Sequence, residues 1–273
     1  FCARWRWPPS SAGECSGSFR ISMRESLLKI TQPEAEAILK RSALALIPMG
    51  SVEQHGPHLP CGTDYLASLV IGQKVAEKVD GLLLPFCPVG VTPFHMSFAG
   101  TISLRPQTFI ALVEDICDSV VKHGARKIVF LNWHEGNTSA MNLAAVAVQQ
   151  CHPVRVVVVQ VCYIAFELFG KDCGLTHGGE LEVLPILAYE PSLVHLDRAT
   201  NPSPPGPAKK IDSLRRGRAA YPFLRDIREL APTGWYGEPQ KATIEKAREF
   251  LEGVAEVSAE YIRKTFRELE ENG

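Results

Sequence analysis

Apolar residues along the chain fall into two alternating kinds of run. Short continuous runs at Ala43–Pro48, Leu82–Pro85, Lys127–Leu131 and Val154–Val161 predict buried strands. Between them the spacing turns helical. Thr31 is placed to cap a helix over Pro33–Lys40, and Asp64 opens one to Val79 carrying Leu66, Leu69, Val70, Val75 and Val79. After Pro106, residues Phe109, Leu112, Val113, Ile116 and Val120 recur at helical spacing until Gly124 ends the pattern. Further helices are expected up to Gln150, from the 177–180 segment to Tyr189, and over Ala242–Leu269. Residues 51–63 and 86–105 are broken by Gly and Pro and read as loops. Residues 196–240, rich in Pro, Gly and Arg, read as an irregular excursion with short helices. This order predicts an α/β fold: a single-domain layered sandwich with a mostly parallel central sheet. Ligands bind beyond the carboxyl ends of strands in such sheets, which is where the polar clusters of this chain fall.

Composition narrows the classes. The 273 residues are 45% hydrophobic, enough for a sizeable core, and 29 Lys and Arg against 30 Asp and Glu leave a net charge of −1. That balance argues against a nucleic-acid partner and against a disordered acidic chain. No run approaches the roughly 18 apolar residues of a membrane helix, so no membrane partner is expected. Eight cysteines form no C-x-x-C pair and several sit in apolar segments, which predicts buried reduced thiols and a cytoplasmic location. Residues 1–22 do not match the rest and are expected to be a disordered tail or a non-native extension, leaving 23–273 as the working domain.

The chemistry concentrates after the predicted strands. Glu53, His55 and Asp64 lie on one loop and the helix start behind it; Glu53 and His55, two apart on extended backbone, point the same way. An acid–imidazole–acid set suits Zn, Mn or Fe. His134 follows the third strand, and His177 and Glu182 flank Gly178-Gly179. A carboxylate can bridge two cations about 3.5–4 Å apart, and Asp64 is the candidate for the bridge. Two such cations lower the pKa of a bound water toward about 7 and polarise a carbonyl, while His177 passes a proton to a leaving nitrogen. His58 is expected to face substrate or support the ligands, since Gly56 and Pro57 forbid an H-x-x-H helix.

The string Ile47–Pro60 followed by Gly62-Thr63-Asp64 resembles the signature of the creatininase (creatinine amidohydrolase) family. Phe98-Ala99-Gly100-Thr101 is similar to its F-P-G-T segment, Asn132–Asn137 to its N-G-H-x-x-N segment, and His177–Glu182 to its H-x-G-x-x-E segment. The resemblance implies a creatininase-like layered α/β fold, a homo-oligomer (a hexamer) and two divalent metal ions per chain. Glu53, His55, Asp64 and His134 match metal ligands, His177 and Glu182 match catalytic positions, and His58, His95 and Trp133 fall where substrate would bind. Creatininase proper has a Glu ligand where this chain has Gly136, which brings it closer to the formamide deformylase and mycofactocin-processing branches. Those branches read N-G-H-G-G-N, and Trp133 and Glu135 depart from that pattern; Glu135 is expected in solvent or behind the ligands.

The expected function is metal-dependent hydrolysis of a C–N bond in a small amide, formamide or cyclic amide. The alternatives are a peptidase trimming a modified precursor peptide and a non-catalytic metal-binding subunit. Residues 196–240 are the expected wall or lid, with Asp226, Arg228 and Tyr236 available to substrate or a neighbouring subunit.

Overall fold

The computed structural model describes residues 24–171, 174–217 and 219–271, so the expectation for residues 1–22 lies outside them. Four parallel strands, β1 (Leu44–Met49), β2 (Leu82–Leu83), β3 (Lys127–Asn132) and β4 (Arg155–Gln160), form a sheet in the order β2-β1-β3-β4. The β1–β3 register runs from Leu44 opposite Lys127 to Met49 opposite Asn132. The two central strands therefore end level, and their C-terminal loops emerge side by side.

Each central strand is apolar on both faces because both faces are covered. Along β1 and β3, Leu44, Leu46, Val129 and Leu131 enter one core; Ala45, Ile47, Met49, Ile128 and Phe130 enter the other. The first core is closed by α2 (Thr63–Lys78), α5 (Val161–Phe169), α6 (Glu180–Tyr189) and α8 (Ile244–Glu271). The second is closed by α1 (Gln32–Ser42), α3 (Pro106–Lys122) and α4 (Thr138–Cys151). α7 (Pro205–Arg215) lies in the excursion, where Ala208, Ile227, Leu230, Ala231 and Tyr236 make a small third cluster.

Most elements fall where the pattern puts them, and α1 begins as expected: the Glu34 carboxylate accepts from both the N–H and the hydroxyl of Thr31, each at 2.6 Å. Two elements differ. β2 pairs over only two residues: beyond the Leu84 N–H bond to the Leu46 carbonyl, the next donor toward β2 would be Pro48 of β1, which has no N–H. α5 was hidden, because its apolar residues continue the β4 run without a break and mask the change of period. Among the described residues, Cys61, Cys87, Cys117, Cys151 and Cys162 are free thiols. Cys117 and Cys162 are buried as expected, whereas Cys151 at the end of α4 is exposed. No described helix is long and apolar enough to cross a membrane.

Candidate active site

The loop after β1 turns back on the first turn of α2. Gly50 permits this: a Cβ there would stand 2.4 Å from the Asp64 backbone. The Val52–Ile102 bridge and the Glu53 N–H bond to the Cys61 carbonyl (2.8 Å) hold the loop extended. Thr101 of the F-A-G-T segment accepts from the Gln54 N–H at 3.2 Å. Glu53, His55 and Asp64 thereby meet below the end of β1, all buried at 3% exposure or less.

The β3 loop supplies His134. Backbone beyond Asn132 stays extended, so Asn132 and His134 share one side and Trp133 takes the other. The two asparagines of this segment act as staples. Asn137 donates to the Gly50 carbonyl (2.9 Å) and accepts from the Val91 N–H (2.9 Å); Asn132 donates to the His134 carbonyl (2.7 Å). Three loops are thus fixed around one point.

Asp64 stands at that point. Its Oδ1 is 3.1 Å from His55 Nε2 and its Oδ2 is 2.8 Å from His134 Nδ1. Each imidazole is set by a backbone carbonyl on its far side. His55 Nδ1 lies 3.1 Å from the Glu53 carbonyl and His134 Nε2 lies 3.2 Å from the Val91 carbonyl, so both donate outward and present the other nitrogen to the centre. Glu53 Oε2 is 3.4 Å from His134 Nδ1 and accepts from the Thr92 hydroxyl; Ser51 donates to Asp64 at 2.9 Å.

His177 and Glu182 arrive from the start of α6. Glu182 Oε2 is 3.8 Å from His55 Nε2 and accepts from the Gly178 N–H at 2.5 Å. His177 Nδ1 lies 3.9 Å from Glu182 Oε1 and 4.0 Å from Glu53 Oε1. Its ring packs between those of His55 and His95, both at 4.4 Å. Three overlapping sets could each hold a cation: Glu53, Asp64 and His134; His55, Asp64 and Glu182; Glu53, His55 and His177.

The electrostatics match a cation site. Three carboxylates are drawn from water into one enclosed space, a costly arrangement unless positive charge joins them. Burial, with Asp64 and Glu53 adding repulsion, pushes Glu182 up to about 7, while Glu53 is raised by burial. Burial disfavours the charged imidazole at His55 and His134, yet the surrounding carboxylates win and raise them to about 10 and about 9. His177 goes the other way: burial and the neighbouring His55 lower it to about 3, keeping it neutral. His177 and Glu182 are the least enclosed of these side chains, at 12% and 13% exposure, so the centre opens on their side.

Of the residues expected near substrate, Trp133 lies elsewhere and His58 takes the supporting place, while Glu135 stands behind the His134 loop. Trp133 turns into the first core, edge-on to Phe250 at 6.1 Å, and lines no part of the centre. His58 is fully buried, donating from Nε2 to the Gly178 carbonyl (2.8 Å) beside the Trp235 ring, and so braces the His177 loop. Glu135 is neither in solvent nor a ligand: Arg216 grips it twofold at 2.9 and 3.0 Å, Arg215 donates at 2.8 Å and Tyr163 at 2.7 Å. His95 does reach the centre, its Nε2 3.4 Å from Glu53 Oε1. Asp226 accepts from Ser97 (2.8 Å) and Arg228 donates to the Ser97 carbonyl (2.8 Å), fastening the excursion to the 86–105 loop. Asn132 and Asn137 were matched by their motif but not their stapling role, whereas Ser51, Thr92 and Gln54 had no role read from the sequence, although all flank the ligand positions in sequence or in a neighbouring loop.

This fold and centre are those of a hydrolase. The family model described as creatinine amidohydrolase matches residues 28–262, and the chain belongs to the creatininase family. It is 32% identical over 230 residues to the mycofactocin precursor peptide peptidase of Mycobacterium ulcerans, covering 81% of this chain and 85% of that one. It is 27% identical over 259 residues to the creatinine amidohydrolase of Pseudomonas putida, covering 87% and 96%. A solved creatininase mutant of Zn–Zn type superposes with a TM-score of 0.71 at 26% identity, covering 89% of this chain and 99% of that chain.

Proposed function

We propose that this enzyme hydrolyses a C–N bond in a small amide, formamide or cyclic amide, using two divalent cations, Zn, Mn or Fe. The observation that carries the reading is Asp64, whose two oxygens face two different imidazoles, His55 and His134. Glu53, Asp64 and His134 would hold one cation, and His55, Asp64 and Glu182 the other. Glu182, matched to a catalytic position in the sequence, is thus given a ligand role that Gly136 leaves vacant. A side chain at 136 would meet His134 Nε2 and the Val91 carbonyl, each 2.4 Å from its Cβ, on the far side of His134 from Asp64. Gly136→Glu is therefore expected to dislodge His134 and lower bound metal, read by elemental analysis, with no ligand gained.

Bound there, two cations would supply an activated water and a polarised substrate carbonyl. The chain does the rest. Neutral His177, with Nδ1 facing the centre, accepts a proton and delivers it to the leaving nitrogen. Ser51 and Thr92 hold the Asp64 and Glu53 carboxylates in place. The excursion limits access, since Gly234 and Tyr236 close on Gln54 and His177. That enclosure favours a small substrate. His58 and His95 support the site from behind Gly178 and Glu53. Exposed Leu143 and Val146 on α4 support a homo-oligomer, and the free buried thiols support a cytoplasmic location.

The likeness to mycofactocin precursor peptide peptidases favours one second reading, cleavage of a peptide end. A panel of N-substituted formamides, lactams including creatinine, and short peptides, tested with each metal, separates the two. Turnover of small amides with peptides at least about 100-fold slower is expected; the reverse order establishes the peptidase. Glu182→Gln is expected to keep one cation per chain and lose about 10²-fold or more in kcat.

A further inference from the structure

Gln54 stands between two ligand positions yet points away from both. Its Oε1 accepts from the Gly56 N–H at 3.1 Å and its Nε2 donates to the Gly234 carbonyl at 2.5 Å. Exchanging the amide ends would set N–H against N–H and C=O against C=O, so these backbone partners fix which end is which. One Nε2 hydrogen remains, with two ring nitrogens in reach: His95 Nδ1 and His177 Nε2, both at 3.1 Å. His177 Nε2 already faces the Gln54 carbonyl at 2.7 Å, a carbonyl that can only accept, so this nitrogen carries a hydrogen. The free amide hydrogen therefore goes to His95 Nδ1.

We propose that Gln54 is a positioning residue that sets the tautomers of two histidines at once, its backbone carbonyl holding the His177 proton on Nε2 and its side-chain amide holding the His95 proton on Nε2. The consequences differ for the two rings. His177 is left with a basic Nδ1 aimed at Glu53 and Glu182, the nitrogen a proton transfer needs. His95 is left with an N–H aimed at Glu53 Oε1 at 3.4 Å, where it orients the carboxylate and cannot itself bind a cation. One residue thus separates a base from a donor in two adjacent rings. The proton-transfer role of His177 rests on the proposed function; the tautomer assignment stands on the hydrogen bonds alone.

The test is long-range ¹H–¹⁵N spectroscopy of the full-length, zinc-loaded protein labelled at histidine, with each ring assigned from its His→Gln variant. His177 and His95 are both expected with Nε2 protonated and Nδ1 bare. Gln54→Glu, which keeps the shape but replaces the donor by an acceptor, is expected to move the His95 proton to Nδ1 and leave His177 unchanged. It should lower kcat by about 10-fold or more at unchanged KM. A wild-type His95 protonated on Nδ1, or a His95 unmoved in folded Gln54→Glu, overturns the proposal. A zinc-ligand shift at His177 Nδ1 supports the tautomer while removing the proton-transfer role. The expected tautomers in a protein that hydrolyses no amide would likewise separate this proposal from the functional one.

Discussion

Asp64→Ala is expected to abolish hydrolysis, by about 10³-fold or more in kcat/KM, and to strip the centre of metal. Of the three candidate groupings, the two proposed to hold cations both use this one carboxylate, with His55 on one oxygen and His134 on the other. Among the described residues, Asp64 alone is within hydrogen-bond distance of both imidazoles, at 3.1 and 2.8 Å. The fold should survive. Asp64 sits in the first turn of α2, but its carboxylate bonds Ser51 and the two histidines and leaves the helix backbone alone. Removing it also removes one of the negative charges that raise His55 and His134, beside Glu182 and Glu53 at His55 and Glu53 at His134, so both rings become easier to bury as neutral groups. Circular dichroism with a Tm close to wild type in the metal-free state, alongside lost turnover, checks the pair of outcomes.

The largest stability effect is expected from a residue outside the cation sets. Glu135 is clamped by Arg215, Arg216 and Tyr163, and Arg216 and Arg215 also engage Asp212 on α7. Although burial alone would raise it, the two guanidiniums and the tyrosine hydroxyl hold Glu135 down to about 2. The fall from an ordinary 4.5 is worth about 3 kcal/mol. A depressed carboxylate contributes stability fully above its unfolded pKa and loses it as pH falls through the folded value. Wild type should therefore lose this contribution between about pH 4.5 and pH 2, and Glu135→Gln should lack that part of the acid slope. At pH 7 the variant is expected to melt about 6–12 °C lower, because two half-buried arginines lose one of their two carboxylate partners and keep only Asp212. Since the clamp joins the His134 loop to α7, limited proteolysis should cut the 196–240 excursion faster in the variant. A melting point within about 1 °C of wild type would remove the clamp from the account.

The sheet was legible because each central strand is a continuous apolar run bounded by loops, and parallel strands covered on both faces leave that signature. The centre was legible where its residues are close in sequence, as at Glu53, His55 and Asp64. Alternation along extended backbone could also have placed Trp133: if Asn132 and His134 face the centre, the residue between them faces the core. The clamp on Glu135 was out of reach, since its arginines lie some eighty positions away and nothing local pairs them. Glu182 was legible as part of its motif, but its approach to His55 was not, since that depends on how α6 packs against α2. Gln54 was adjacent in sequence yet invisible, because its role comes from the Gly234 and His95 loops closing over it.

Glu53, Asp64 and His134 would hold one cation and His55, Asp64 and Glu182 a second, and metal content tests this most directly. The chain is purified without chelator under low oxygen, reconstituted with Zn, Mn or Fe, and analysed beside Asp64→Ala and Glu182→Gln. About two equivalents are expected per wild-type chain, one in Glu182→Gln and almost none in Asp64→Ala, because both sets proposed to hold cations include Asp64. A single equivalent in the wild type, or two retained after Asp64 is removed, would contradict this assignment.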